Sequence, residues 1–210
     1  YGDYCRYISF EILRDKEDSK EIVNDTYLDD RDAGILYLGN GKLLVSWFTR
    51  NAEEYSSEKH KAMMEAAPLA GRTTIAGGMV ASTQLPAEVK AIGSYVRVSE
   101  DYGVTWGETY SLPVTAPHGP TLCRDGSLIY LGTEHRPVEQ RIGTPENKLF
   151  RSRDDGKTWQ EVSTIQNPAW LQPGERFCEP HVIELSDGRL LGAVRVEGRT
   201  PFTMATAFSF

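Results

Sequence analysis

Residues Phe177–Arg195, FCEPHVIELSDGRLLGAVR, decide the fold of this chain. Apolar, strand-forming residues dominate two runs: Val182, Ile183 and Leu185, and then Leu190, Leu191, Ala193 and Val194. Between these two runs, Asp187 and Gly188 form an Asp-Gly pair, which suits a tight hairpin turn with positive φ. The stretch therefore predicts two antiparallel strands joined by a short turn.

Two charged residues lie at the open end of this predicted hairpin. Glu179 comes just before the first strand and Arg195 ends the second. Since a hairpin returns on itself, both side chains are expected to project from the same edge of the sheet. A surface ion pair is the simplest interpretation of such a pair. The repetition of the whole pattern favours a shared functional site instead.

The same hairpin pattern occurs in two earlier segments, Asp32–Phe48 and His118–Gly132. Each has an apolar run, an Asn-Gly or Asp-Gly turn, and a second apolar run. Asp32 lies nine residues before its turn glycine, as Glu179 does before its own. Large internal repeats of variable length are typical of propellers and solenoids. The repeats predict an all-β protein built from similar sheets.

A second repeated element lies between the hairpins. Ser99–Trp106 and Ser152–Trp159 both match Ser-x-Asp-x-Gly-x-Thr-Trp. In such a turn the aspartate accepts backbone N–H groups, the glycine adopts a conformation that other residues avoid, and the threonine adds a hydroxyl bond. The tryptophan then covers the turn with apolar surface. We expect both octapeptides to be structural.

These octapeptides resemble the Asp-box, or BNR repeat, of the sialidase (neuraminidase) superfamily, and especially of its bacterial members. The resemblance implies a six-bladed β-propeller, with each Asp-box at the outer rim between the third and fourth strands of a blade. It assigns an architectural role to six residues: Asp101, Gly103, Trp106, Asp154, Gly156 and Trp159.

The repeat pattern divides the chain into parts of such a propeller. We expect the outer half of a blade at 1–28, with strands at Cys5–Leu13 and Glu21–Leu28 and a loop between them. A blade at 29–115 carries an insertion at 52–90, in which Ala52–Ala67 reads as a helix. A second blade spans 116–168 and an incomplete one spans 169–210. The chain is thus expected to cover about three blades, and the remaining blades are its expected partners.

Inner strands of a propeller line its axis, and the loops at one end converge on a central pocket. Each polar residue expected there also has a structural interpretation. The histidines could be ordinary turn or core residues, and the charged run before the first hairpin could be a solvated loop. Together, in one register, they form the predicted site: Arg31, Asp32, His118, Glu134, Glu179, His181 and Arg195.

The resemblance also implies chemical roles. Glu179 matches the glutamate that takes the proton of a tyrosine nucleophile, and Arg195 matches one arginine of a triad that binds the substrate carboxylate. Arginine suits this task because its planar fork pairs with both carboxylate oxygens. Asp32 matches a substrate-contacting aspartate. The other arginines, the general acid and the tyrosine find no match within these residues, and Arg31 and His118 have no clear place in the scheme.

The sequence therefore favours a sialidase-like exo-glycosidase that releases terminal sialic acid or a related acidic sugar from glycans. One alternative is a glycosidase of different sugar specificity that uses paired carboxylates such as Glu179 and Asp32. Others are a non-catalytic glycan-binding propeller and a platform for protein partners. We expect no cofactor and no metal site.

The amino-acid composition argues against some classes of binding partner. The net charge of −7 argues against nucleic acid and anionic membrane surfaces as partners. No apolar run approaches the roughly 20 residues of a membrane helix. The three cysteines have no metal-ligand spacing and are expected as reduced thiols. We expect a soluble protein that binds a glycan.

Overall fold

The computed structural model describes residues 7–14, 17–25, 29–50, 93–134, 146–198 and 203–208. These residues form β-strands, turns and loops, and no helix is found among them. Within this part of the chain, nothing has the length and hydrophobicity that a membrane-crossing helix needs. The strands are β1 (Tyr7–Arg14), β2 (Glu17–Asp25), β3 (Asp29–Gly39), β4 (Lys42–Arg50), β5 (Gly93–Ser99), β6 (Tyr110–Leu112), β7 (Val114–Thr115), β8 (Thr121–Leu122), β9 (Leu128–Glu134), β10 (Asn147–Ser152), β11 (Gln160–Ile165), β12 (Arg176–Glu184), β13 (Leu190–Glu197) and β14 (Thr203–Phe208).

The strands form four sheets whose order follows the sequence. Strands β1 and β2 pair as a hairpin, and β3-β4-β5-β6 form a second sheet. The third sheet has the order β11-β10-β9-β7, with β8 also paired to β9, and the fourth has the order β12-β13-β14. Strands that are neighbours in sequence are therefore neighbours in a sheet, as in repeated meander units.

The chain divides into two compact units. The first contains Tyr1–Asp32 and Trp47–Gly93, and the second contains Ala33–Ser46 and Ser94–Phe210. Within the first unit, Asp30 is fully buried, and its Oδ1 accepts a hydrogen bond of 2.6 Å from the Thr49 hydroxyl. The charged run around Asp30 is thus part of β3, and the interpretation of this run as a solvated loop is wrong.

The core of the second unit lies between successive sheets. Leu44 and Val96 of the second sheet pack with Leu128 and Tyr130 of the third in one buried cluster. Ile129, Leu131 and Leu149 of the third sheet pack with Val182 of the fourth in another. Alternating strand residues supply these contacts because successive side chains point to opposite faces of a sheet. The second sheet thereby buries apolar residues against the third, and the third against the fourth.

The two octapeptide turns share the hydrogen bonds of their serine, aspartate and threonine. In the first, Asp101 accepts bonds from the Thr105 backbone N–H at 2.8 Å and the Thr105 hydroxyl at 2.6 Å. The Ser99 hydroxyl donates to Asp101 at 2.8 Å and accepts the Gly103 N–H at 2.8 Å. The second turn repeats these bonds around Asp154. Each aspartate closes its own loop without help from the rest of the chain.

Arg124 links the turn of the third sheet to the turn of the fourth. Its backbone N–H donates to Glu184 Oε2 at 2.7 Å. Its guanidinium donates to the carbonyl oxygens of Ser186 at 2.7 Å and Leu185 at 2.6 Å. One arginine therefore binds the carbonyl groups of the neighbouring hairpin turn, which we call the Arg124 clasp.

Two strand assignments differ from the sequence predictions. The predicted start of the second strand at Glu21 is wrong, because β1 extends to Arg14 and β2 already begins at Glu17. Val114–Thr115 pair with β9, so they belong to the third sheet and not to the preceding one. The predicted helix at Ala52–Ala67 lies outside the described residues.

Replacing Tyr130 with phenylalanine is expected to lower the free energy of unfolding by about 1–3 kcal/mol. The buried Tyr130 hydroxyl accepts the Ala116 N–H at 2.7 Å and donates to the Ala116 carbonyl at 2.8 Å. Phenylalanine keeps the ring but leaves both backbone groups without this partner. Urea unfolding of the two proteins measures the difference. A loss well below 1 kcal/mol would show that water replaces the hydroxyl.

Acid is expected to weaken the first octapeptide turn. Hydrogen bonds from the Thr105 hydroxyl and then the Thr105 backbone lower the pKa of Asp101 from 3.8 to about 2. Because the folded-state pKa is depressed, the stabilisation is present above the ordinary pKa and disappears as pH falls from about 4 to about 2. The stability difference between the natural protein and Asp101→Asn should therefore shrink over this range in denaturant unfolding. A difference independent of pH would contradict the assignment.

Candidate functional site

Glu179 lies inside a strand at a β-bulge. In the pairing of β12 with β13, Cys178 stands opposite Arg195 and His181 opposite Ala193, so Glu179 and Pro180 together face Val194. Glu179 has a φ of +49°, which is uncommon for a residue other than glycine. Such bulges and strained residues occur often at functional sites, where they direct a side chain. The prediction that Glu179 precedes the strand is wrong, because β12 begins at Arg176.

Three side chains surround the guanidinium of Arg195. Its Nη1 forms an ion pair of 2.8 Å with Glu179 Oε1. Its Nε donates a hydrogen bond of 3.2 Å to Cys178 Sγ, and its Nη2 lies 3.5 Å from Glu197 Oε1. The hydrogen bond with Cys178, together with the charges of Glu179 and Glu197, raises the pKa of Arg195 despite partial burial. Arg195 is thus fixed by contacts on several sides.

Cys178 is a thiol in this cluster. Burial raises its pKa, although Arg195 acts in the opposite direction. Its Sγ donates a 3.5 Å hydrogen bond to the Arg195 carbonyl oxygen while accepting the Arg195 Nε–H. Because the protonated thiol can serve as both donor and acceptor, it orients the arginine without adding a second negative charge.

This arrangement holds a carboxylate where a ligand can reach it. The side chain of Glu179 is 41% exposed and that of Arg195 is 38% exposed. The ion pair limits the rotamers of Glu179, and its second oxygen can still accept a proton or a hydroxyl hydrogen bond. A fixed, accessible carboxylate of this kind suits general-base chemistry or sugar hydroxyl binding.

His118 and His181 form a second part of the site. Their ring centroids lie 5.5 Å apart in an edge-to-face arrangement. Burial and then the charge of His118 lower the pKa of His181, which favours the neutral ring. His118 precedes Gly119, whose φ is +70° and where an added β-carbon would lie 2.5 Å from the Ser46 hydroxyl oxygen. The structure therefore brings the two predicted histidines together.

The other three predicted site residues are described by their own local surroundings. Arg31 and Asp32 belong to the first unit, where Asp32 is within β3 and also has a φ of +49°. Glu134 ends β9, and its side chain lies 3.5 Å from Lys148 Nζ on the adjacent strand. Charge pairing with Lys148 is thus a contact of Glu134 that the sequence did not predict.

Sequence reasoning missed two residues of the Arg195 cluster. Glu197 lies two positions after Arg195 on a strand, which places both side chains on one face. That spacing could have indicated Glu197. Cys178 precedes the predicted glutamate, but its bond to Arg195 depends on the cross-strand register, which the sequence alone does not define. Among the described residues, no three His, Cys, Asp or Glu side chains are grouped to hold a metal ion.

No family model matches the chain, and no curated protein does. Among solved structures, a protein of unknown function from Dyadobacter fermentans DSM 18053 is similar, with 17% identity and a TM-score of 0.61. The match covers 97% of this chain and 57% of that one. An α-L-arabinanase of Penicillium chrysogenum, complexed with arabinobiose, has 18% identity and a TM-score of 0.52, covering 86% of this chain and 46% of the enzyme.

A Hadza microbial sialidase also matches, with 15% identity and a TM-score of 0.48, covering 99% of this chain and 44% of that one. A TM-score this low carries no argument. The chain spans about half the length of the structures it matches. At these identities the likeness shows the fold alone, and it confirms the predicted all-β propeller fold.

Proposed function

We propose that this chain is part of a glycoside hydrolase and that Glu179 is its catalytic carboxylate. The observation that carries the proposal is the strained bulge that presents Glu179 to solvent while Arg195 holds it by an ion pair of 2.8 Å. A carboxylate that must move a proton needs a fixed position within reach of the substrate. The fold likeness to an α-L-arabinanase supports a carbohydrate substrate.

Two sugar classes are consistent with the site. The octapeptide turns and the pairing of a glutamate with an arginine across a hairpin favour a terminal acidic sugar such as sialic acid. In that case Arg195 would bind the substrate carboxylate. Glu179 already occupies Nη1 of Arg195, so binding requires the guanidinium to share its donors between the two carboxylates.

The second candidate is a neutral arabinose-containing glycan. In this case Arg195 acts only as the positioning partner of Glu179, and Asp32 is the second carboxylate. The strained φ of +49° at both Glu179 and Asp32, in matching positions of their hairpins, favours a paired-carboxylate mechanism. Similarity to an arabinanase supports this substrate class.

A substrate panel tests the proposal. The full-length gene product is incubated with methylumbelliferyl sialoside, para-nitrophenyl α-L-arabinofuranoside and arabinan, and product release is followed. Release from the sialoside alone supports the acidic-sugar candidate, and release from the arabinose substrates supports the neutral one. Sugar binding by calorimetry without any release would refute the hydrolase and leave a glycan-binding propeller.

A further inference from the structure

Four charged side chains form a continuous row along the pair of strands β12 and β13. Glu179 forms an ion pair with Arg195, and Arg195 Nη2 lies 3.5 Å from Glu197 Oε1. Glu197 also forms an ion pair with Arg176, its cross-strand partner. We call these four residues the charge row. Because the signs alternate along it, the charge row has no net charge and offers an acidic ligand no excess of positive charge.

Each nitrogen of the Arg195 guanidinium has a partner within this part of the chain. Nη1 pairs with Glu179 at 2.8 Å, Nε donates to Cys178 Sγ at 3.2 Å, and Nη2 donates to Glu197 Oε1 at 3.5 Å. A guanidinium binds a carboxylate through two parallel N–H groups, either from both Nη atoms or from Nε and Nη2. Nη2 takes part in both arrangements. Glu197 therefore competes with a ligand carboxylate in either one.

Arg176 keeps the carboxylate of Glu197 near Arg195. Glu197 Oε2 pairs with Arg176 while Oε1 faces Arg195, so the carboxylate bridges two guanidinium groups. A ligand carboxylate that displaced Oε1 from Arg195 would leave Glu197 close by, because Arg176 still binds it. The negative charge of Glu197 would then repel the ligand from a short distance.

The charge row treats acidic and neutral sugars differently. The side chains of Arg195 and Glu197 are 38% and 35% exposed, so a ligand can reach both. An acidic sugar on Arg195 would bring a third carboxylate to a guanidinium that already faces Glu179 and Glu197. Such like-charge contacts are a common source of specificity. A neutral sugar meets no repulsion, and its hydroxyl groups can donate to the glutamate oxygens.

We propose that Glu197 is a specificity-determining residue that restricts this site to neutral sugars, because it uses the Arg195 donors that an acidic sugar would need. The inference rests on the proposed function, since it selects the neutral candidate at the same site. Glu197 acts on specificity through Arg195 and takes no part in bond cleavage. Arg195 then positions Glu179 and does not bind a substrate carboxylate.

The substitution Glu197→Gln tests this inference in a binding measurement. Calorimetry on the full-length gene product uses sialic acid and arabinobiose as probes. We expect the variant to bind sialic acid about tenfold more tightly than the natural protein does, and arabinobiose with about the same affinity. Unchanged affinity for sialic acid, or a natural protein that prefers sialic acid to arabinobiose, would overturn the inference. Binding of neither sugar to either protein would overturn the proposed function as well.

Two control variants separate the charge of Glu197 from other effects. Arg176→Gln breaks the same Arg176–Glu197 ion pair but leaves the Glu197 carboxylate beside Arg195, so it should not gain affinity for sialic acid. Glu161→Gln removes one negative charge from an ion pair of the same length, 3.5 Å, with Lys148 on the third sheet. It should not gain affinity either. Equal gains in all three variants would overturn the inference.

The thiol of Cys178 gives a second measurement that needs no sugar. Burial raises its pKa most, Arg195 lowers it, and the charges of Glu197 and Glu179 raise it further. In Glu197→Gln more of the positive charge of Arg195 acts on the thiol, so its pKa should fall and iodoacetamide should alkylate Cys178 faster. Peptide mass spectrometry measures the rate at this cysteine. Faster alkylation supports the inference even if no glycoside is cleaved, and an unchanged rate refutes it even if one is.

Discussion

Replacing Glu179 with glutamine is expected to lower kcat for glycoside cleavage by about 10²–10⁴-fold, the usual contribution of a general acid or base. Glutamine keeps the size of the side chain and an oxygen that can accept from Arg195 Nη1, so the bulge in β12 should persist. It cannot take a proton. KM should therefore change much less than kcat.

The control is Glu161→Gln on β11, whose carboxylate lies 3.5 Å from Lys148 in a surface ion pair. Both variants lose one negative charge, but only Glu179→Gln alters the proposed site. Initial rates on the best substrate of the panel, together with thermal unfolding of each variant, separate lost chemistry from lost structure. A Glu179→Gln protein that keeps its fold and at least half of its kcat would remove Glu179 from the mechanism.

Replacing Gly198 with alanine is expected to lower stability more than any other glycine-to-alanine substitution among the described residues. Gly198 has a φ of +91°, and an added β-carbon would lie 2.4 Å from the Gly174 carbonyl oxygen and 3.2 Å from the Glu175 α-carbon. Both contacts are with backbone, so they cannot be relieved by a side-chain rotation. The end of β13 and the loop that precedes β12 would have to separate.

Gly188→Ala is a matched control, because Gly188 has a φ of +86° and open space around its α-carbon. In both variants the alanine must adopt a left-handed backbone conformation, which costs about 1–2 kcal/mol. Only Gly198→Ala adds overpacking, so its free energy of unfolding should be lower by about a further 1–3 kcal/mol. Chemical denaturation of the two variants measures this difference. Equal losses would show that the loop moves aside freely.

The repeated hairpins could be predicted from sequence because their signals are local. Apolar runs on both sides of an Asn-Gly or Asp-Gly pair specify two strands and a turn, and β12 and β13 follow that pattern. The octapeptide turns are also local, since Asp101 and Asp154 bond within their own loops. Short-range patterns of this kind need no knowledge of distant contacts.

The details of the site depend on contacts that the sequence does not display. The positive φ of Glu179 is imposed by the register of β12 against β13, which no propensity of glutamate predicts. The bond from Arg195 to Cys178 follows from the same register. The buried position of Asp30 in the first unit likewise depends on a hydrogen bond with Thr49, which is distant in sequence. Contacts between distant segments therefore determine the conformation and burial of these residues, although the local polar sequence predicts a different environment.

The Arg124 clasp has a consequence for the order in which this chain matures. Its donors are on the earlier hairpin, and the carbonyl groups that it satisfies are on the later one. The earlier hairpin leaves the ribosome first, so Arg124 is already in place when the carbonyl groups of the later turn emerge. Because synthesis starts at the amino terminus, the third sheet would then bind and order the turn of the fourth sheet as that turn forms.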